Sequence, residues 1–92
     1  DNLFAWESYM RGLRGAGKFE EAVEPIERVL ELDPNNVRFW TIKADNLYRM
    51  QRYREAASVA DYAITLNQEY PPAHRIRERA LKLMYQRKDR KK

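Results

Sequence analysis

Basic side chains gather at one end of this chain. Residues 74–92 hold nine Lys and Arg against two acids, a net +7, whereas residues 1–73 hold nine against twelve, a net −3. Within the basic end Arg75, Arg79 and Lys82 stand at i, i+4 and i+7, so a helix there puts all three on one face. Like charges at that spacing repel by about 0.2–0.5 kcal/mol. Their toleration points to an anionic partner, and arginine forks suit carboxylates two-pronged. Glu78 in the same segment offers partial compensation. Beyond it, Arg87, Lys88, Arg90, Lys91 and Lys92 form a basic tail. Such a tail suits an acidic protein, an anionic membrane surface or nucleic acid. A solvated helix end, favoured by the helix dipole, accounts for the same residues with no partner at all. Apart from Tyr85 the tail lacks the interleaved aromatics on which bases stack.

Other chemistry is sparsely provided. With no cysteine, disulfides and thiolate sites are excluded, and one histidine, His74, makes neither a metal cluster nor a triad. His74 reads as a packing or capping residue. Asp33 and Asp45 align with no second carboxylate or base, and the glycines show neither phosphate-loop nor dinucleotide spacing. No catalytic residue, metal ligand or cofactor is expected. No apolar run approaches the roughly 18 residues that span a bilayer, and no basic start leads into an apolar stretch as in a signal peptide. The expectation is a soluble, intracellular chain. Ninety-two residues and 11.1 kDa correspond to one small domain. The 12% of aromatic residues, spread along the chain, set it apart from a disordered tail.

The elements that must position these side chains come from an internal repeat. A shift of 34 residues places Trp6 on Trp40, Leu13 on Leu47, Phe19 on Tyr53, Glu21 on Glu55, Ala22 on Ala56 and Leu32 on Leu66, and continues with Leu47 on Leu81. Only two tryptophans exist, and they coincide. Each unit reads as two helices. Leu3, Ala5, Trp6, Tyr9, Met10 and Leu13 recur at helical spacing, as do Phe19, Ala22, Val23, Ile26, Val29 and Leu30 after a break at Gly15 and Gly17. Leu32-Asp33-Pro34 ends the second helix, and Asn35 and Asn36 suit the cap of the next.

Val37, Trp40, Ala44 and Leu47 mark a third helix, and Tyr53, Ala56, Ala57, Ala60, Ala63 and Ile64 a fourth. A fifth opens at Pro71-Pro72, carries Ala73, Ile76, Ala80, Leu83 and Met84, and frays in the basic tail. Pro25 falls inside the predicted second helix, where a proline normally costs about 3 kcal/mol. The Met50-Gln51-Arg52 turn lacks the glycine of the first unit, so its reversal rests on a less favourable left-handed residue.

A 34-residue period of paired helices with Trp6 and Trp40, Ala22 and Ala56 at the helix contact, Gly17 with Phe19 at the turn, and the ending Leu32-Asp33-Pro34-Asn35-Asn36 resembles the tetratricopeptide repeat family. The resemblance covers about residues 3–86. It implies an all-α, right-handed solenoid: repeat one at about 3–36, repeat two at about 37–70, and a capping helix with its basic tail at about 71–92, together one domain. The chain departs from the family at Met10, where Gly or Ala is preferred, at Gln68 for the terminal proline, and at His74 for a third tryptophan. Met10 is expected to loosen helix packing.

The resemblance also implies a non-enzymatic interaction module whose concave groove holds an extended peptide or a helix of a partner, and the cations Arg75, Arg79 and Lys82 suit an acidic one. Carried over by position, the groove residues are Phe4, Glu7, Ser8 and Arg11, then Arg38, Thr41, Ile42, Asp45 and Arg49, then Arg75, Arg79 and Lys82. The clamp by which some members hold a peptide's terminal carboxylate is not reproduced: its positions hold Glu7, Arg11, Ile42, Pro72 and Ile76, of which only Arg11 suits. The tryptophans, the tyrosines and Phe39 read as packing, with Tyr48, Tyr70 and Phe4 as candidates for exposed contacts. Nucleic-acid or anionic-surface binding by the tail is the alternative function. A structural spacer, or a design with no ligand, is a third, against which Met10, Pro25 and Gln68 count. No polar capping segment precedes the first helix, so the chain reads as a fragment of a longer array or as self-associating through Leu3, Phe4 and Trp6.

Overall fold

The computed structural model describes residues 2–90, with side chains described through Gln86. Five helices follow in order: α1 Leu3–Gly15, α2 Val23–Leu32, α3 Val37–Arg49, α4 Tyr53–Leu66 and α5 Pro71–Arg90. The starts of α1 and α3 have a local cause. Asn2 and Asn36 turn their side-chain oxygens onto the free N–H groups of Ala5 and Phe39, both at 3.0 Å, satisfying donors that a helix N-terminus leaves open. Each helix is seated on the next by apolar faces, producing an all-α helical-repeat solenoid. The stack measures 47 × 29 × 17 Å, with a radius of gyration of 13.5 Å. A globule of this length has about 12 Å, so the chain is drawn out along the stacking direction.

The two pairs of helices are built differently. In the first, large side chains fill the centre: Met10, Ile26, Val29 and Leu30 are buried together with Phe39 of α3, and Trp6, Leu13, Trp40 and Ile42 pack around them. In the second, the centre is alanine: Ala56, Ala57, Ala60 and Ala63 of α4, facing Ala44 of α3 and Ala80 of α5. Small side chains bring helix axes close, and α3 packs on α4, and α4 on α5, far more extensively than α1 on α2. Met10 stands one period before Ala44, so the loosening expected of it coincides with the less extensive pair.

The second helix starts later than the sequence pattern predicts. Residues 19–22 form turns, and α2 opens at Val23, so Phe19 and Ala22 belong to the connection. Pro25 thereby lies in the first helical turn, where its missing N–H has no intrahelical partner to lose, and it is fully buried. The price of Phe19's unused carbonyl is avoided by Asn46 of α3, whose side-chain amide donates to it at 2.8 Å.

The two turns reverse the chain in the same left-handed way. Gly17 has φ 77° and Gln51, one period later, has φ 65°, which places the non-glycine residue where the sequence anticipated it. Gly15, by contrast, is simply the last residue of α1, and only Gly17 uses the conformation that glycine favours. A second periodic device ties each pair to the next: Lys43 pairs with Glu27 at 2.8 Å, and 34 residues on Arg77 pairs with Asp61.

Candidate functional site

The candidate groove residues lie on α1, α3 and α5. α3 packs against α5, and α1 is tied to α3 by two charged clusters. In the first, Glu7 accepts from Arg11 one turn on, at 3.0 Å, and from Arg38 of α3. The hydrogen bond from Arg38, and then the charges of Arg38 and Arg11, hold the Glu7 carboxyl below its ordinary value of 4.5 against the opposing effect of burial. In the second, Asp45 accepts from Arg14 of α1 and lies 3.7 Å from Arg49. The guanidinium groups of Arg14 and Arg49 both sit over the Phe19 ring, each 5.8 Å from its centre. Arg14 also donates to Asn46 at 3.2 Å.

Both acids among the groove candidates are therefore engaged by two arginines each, and both clusters join one repeat to the next. On α5 the situation is reversed. Arg75, Arg79 and Lys82 are exposed, and among the described residues none of them makes an ion pair, with Glu78 or with any other acid. The face keeps an excess of positive charge, and that excess is concentrated on α5.

The remaining candidates are placed unevenly. Thr41 is buried, 6% exposed, and its hydroxyl donates to the Val37 carbonyl at 3.0 Å, so it presents almost no surface to a partner. Ile42 is half-buried against the first core, and Ser8 is half-buried on α1. Phe4 is 75% exposed, which fits a contact residue, while Tyr48 and Tyr70 are half-buried. Tyr48 packs on Tyr53, with ring centres 5.6 Å apart. Three tyrosines read as packing are instead exposed: Tyr9, Tyr62 and Tyr85. Of these, Tyr62 still meets Trp40 edge-on at 4.6 Å. His74 closes the loop before α5 through a 2.7 Å contact between its Nε2 and the Gln68 carbonyl. The tail side chains of Arg87, Lys88, Arg90, Lys91 and Lys92 lie outside the described ones.

Sequence reasoning missed Arg14, Phe19 and Asn46 as a joint. Asn46 has Gly12 and Ala80 at its equivalent positions, and Arg14 has Tyr48 and Lys82, so no periodic signal marks either. Away from this face, an open cleft of about 470 Å³ is bordered by α2, α3 and α4, with Val23, Ile26, Leu47 and Val59 along it. Its rim charges are largely spent on each other, Glu27 with Lys43 and Arg52 with Glu55. Among the described residues no group of three or more His, Asp or Glu could hold a metal ion, and no helix is long and apolar enough to cross a membrane.

Paired helices at a 34-residue period, stacked through alternating seats, define a helical-repeat scaffold. The family model described as tetratricopeptide repeat matches residues 3–46, which take in α1, α2 and most of α3, and over that stretch the chain is similar to the family. That repeat is non-catalytic and generally serves protein–protein interaction. RNA polymerase II-associated protein 3 of Xenopus laevis is 34% identical over 59 residues, which is 64% of this chain and 9% of that protein. Its namesake from Xenopus tropicalis is similar to the same extent, 34% over 59 residues. The chain thus spans only a small part of the length of the curated relatives it matches.

Proposed function

We propose that residues 1–92 act as one interaction module: repeat one at about 3–36, repeat two at about 37–70 and a closing helix from about 71. The module binds an acidic peptide or helix of a partner protein along the face of α1, α3 and α5. The observation that carries this reading is the unpaired set Arg75, Arg79 and Lys82, exposed beside a face whose own acids, Glu7 and Asp45, are already engaged. A partner carboxylate meets two arginine forks and an ammonium there, without first displacing an internal ion pair. The relatives' name, which ties them to RNA polymerase II, supports an intracellular setting and a role among protein assemblies.

Replacing Arg75, Arg79 and Lys82 together by Glu tests the reading. Capture of a poly-glutamate peptide is expected to fall at least tenfold, with helicity unchanged by circular dichroism. Undiminished capture overturns it. Arg38 is a poorer choice for that variant, because it holds Glu7 and would disturb the joint between repeats as well. Anionic-surface or nucleic-acid binding through the tail is the second reading, favoured by the +7 charge of residues 74–92. Under that reading, binding of a single-stranded RNA falls steeply with added salt and is lost when residues 87–92 are removed.

A further inference from the structure

One helix face occurs three times in this stack but is covered only twice. On α3 the stripe Phe39, Lys43, Asn46 and Met50 seats the preceding α2, and on α5 the stripe Ala73, Arg77, Ala80 and Met84 seats the preceding α4; all eight residues are buried or half-buried. Thirty-four residues before the first of these come Ala5, Tyr9, Gly12 and Ala16, along α1 and its C-terminal end, and all four are exposed. Leu3 and Phe4 beside them are exposed as well, at 39% and 75%. The seat is continuous with two established helix–helix interfaces and is empty of any helix among the described residues.

Its chemistry differs from that of the other two in a way that selects the occupant. Each covered seat carries a cation, Lys43 or Arg77, bonded to an acid of the helix it holds. The corresponding residue of α1 is Tyr9, so a helix of the α2 or α4 kind finds no cation there for its acid. The uncharged stripe instead complements itself. When two copies of α1 run antiparallel about a twofold axis near Met10 and Arg11, Tyr9 of each lies opposite Gly12 of the other, and Ala5 opposite Ala16. Tyr9 stands 54% exposed, and a Cβ added at Gly12 meets nothing within 4 Å. The ring of one copy then fills the open space over the other's glycine, reciprocally, as a twofold contact requires. No like charges are opposed within the stripe.

We propose that this face is a self-association site, on which a second copy of the chain docks α1 against α1 with Tyr9 over Gly12. The contact is one helix pair, well below the roughly 1,600 Å² of a standard stable interface, so the dimer is weak and concentration-dependent. In sedimentation equilibrium, the apparent mass should rise from 11.1 kDa towards twice that value as the chain is concentrated to about 1 mM. Gly12→Glu puts a charge into the space the ring needs. It leaves the monomer intact, because that space is open and Gly is the poorer helix former. This variant should keep its helicity and remain at the monomer mass throughout, and Tyr9→Ala should weaken association at least tenfold. Replacement of Arg75, Arg79 and Lys82 should leave dimerisation unchanged, which separates this site from the proposed peptide-binding face. A chain that stays monomeric at about 1 mM, or a Gly12→Glu variant that associates like the intact chain, overturns the proposal. So does an intact monomer that binds an added peptide of residues 53–66, since the face would then be a seat for a helix of the α4 kind.

Discussion

The α1–α2 pair and the α3–α4 pair are the same device built to two specifications. The first surrounds Met10, Ile26, Val29 and Leu30 with a ten-residue second helix that starts late. The second closes on alanines, with a second helix of fourteen residues. Large side chains hold helices apart and bury more apolar surface per residue. Small ones let backbones approach and lengthen the contact. A helix-pair unit can thus be stabilised by volume or by proximity, and this chain uses one of each, with Phe39 buried where the two meet.

Changes that exchange the two specifications test this contrast. Met10→Ala gives α1 the residue that α3 has at Ala44. If Met10 fills the first core, as its 3% exposure indicates, the variant loses about 2–5 kcal/mol in chemical denaturation. A loss near zero would mean that the first pair closes up to resemble the second. The opposite exchange, Ala60→Leu, brings the residue type of the first pair into a fully buried position of the second. It should cost about 1–3 kcal/mol by overpacking, and it should weaken the α4–α5 contact along with α3–α4, seen as faster amide exchange in both.

The turns offer a smaller test. Gly17→Ala should cost about 1 kcal/mol, because its φ of 77° is unfavourable for a residue with a side chain, while Gln51→Gly should gain somewhat less than that at φ 65°. Thermal melts of the two variants, moving in opposite directions, would show that the turns are equivalent even though the cores are not.

The smallest expected effect lies in the charge that links the pairs. Glu7 has a folded value lowered below 4.5, chiefly by the hydrogen bond from Arg38. Its contribution is therefore present at neutral pH, above the unfolded value, and is lost as the pH falls through the lowered folded value. Melting temperatures measured from pH 7 down to pH 3 should fall less steeply at the acid end for Glu7→Gln than for the intact chain. At neutral pH that variant should lose under about 1 kcal/mol, because Arg38 is half exposed.

The architecture was legible because it is periodic. Trp6 on Trp40 and Ala22 on Ala56 reveal the 34-residue unit, and Met10 against Ala44 already separates the looser pair from the tighter one. What was not legible is what breaks the period. Pro25 marks a disturbance, but whether it bends α2 or delays its start depends on a donor for Phe19's carbonyl, and that donor comes from Asn46, 27 residues away. The candidate site was legible by position and less so by state. Thr41 and Asp45 lie one turn apart on α3, yet one is buried and the other is taken by Arg14, whose position in the period gives no warning of it. The isolation of Arg75, Arg79 and Lys82 follows from where the acids went, and only the packed structure shows that.

The hydrogen bond from Asn46 to the Phe19 carbonyl also has a temporal consequence. The connection between α1 and α2 cannot satisfy itself; it is completed by a side chain that arrives only with α3. The dependence is mutual, because Phe39 of α3 is in turn buried among the side chains of α1 and α2. The first hairpin and α3 therefore complete each other, so the joint between them is expected to lock and open as one cooperative unit.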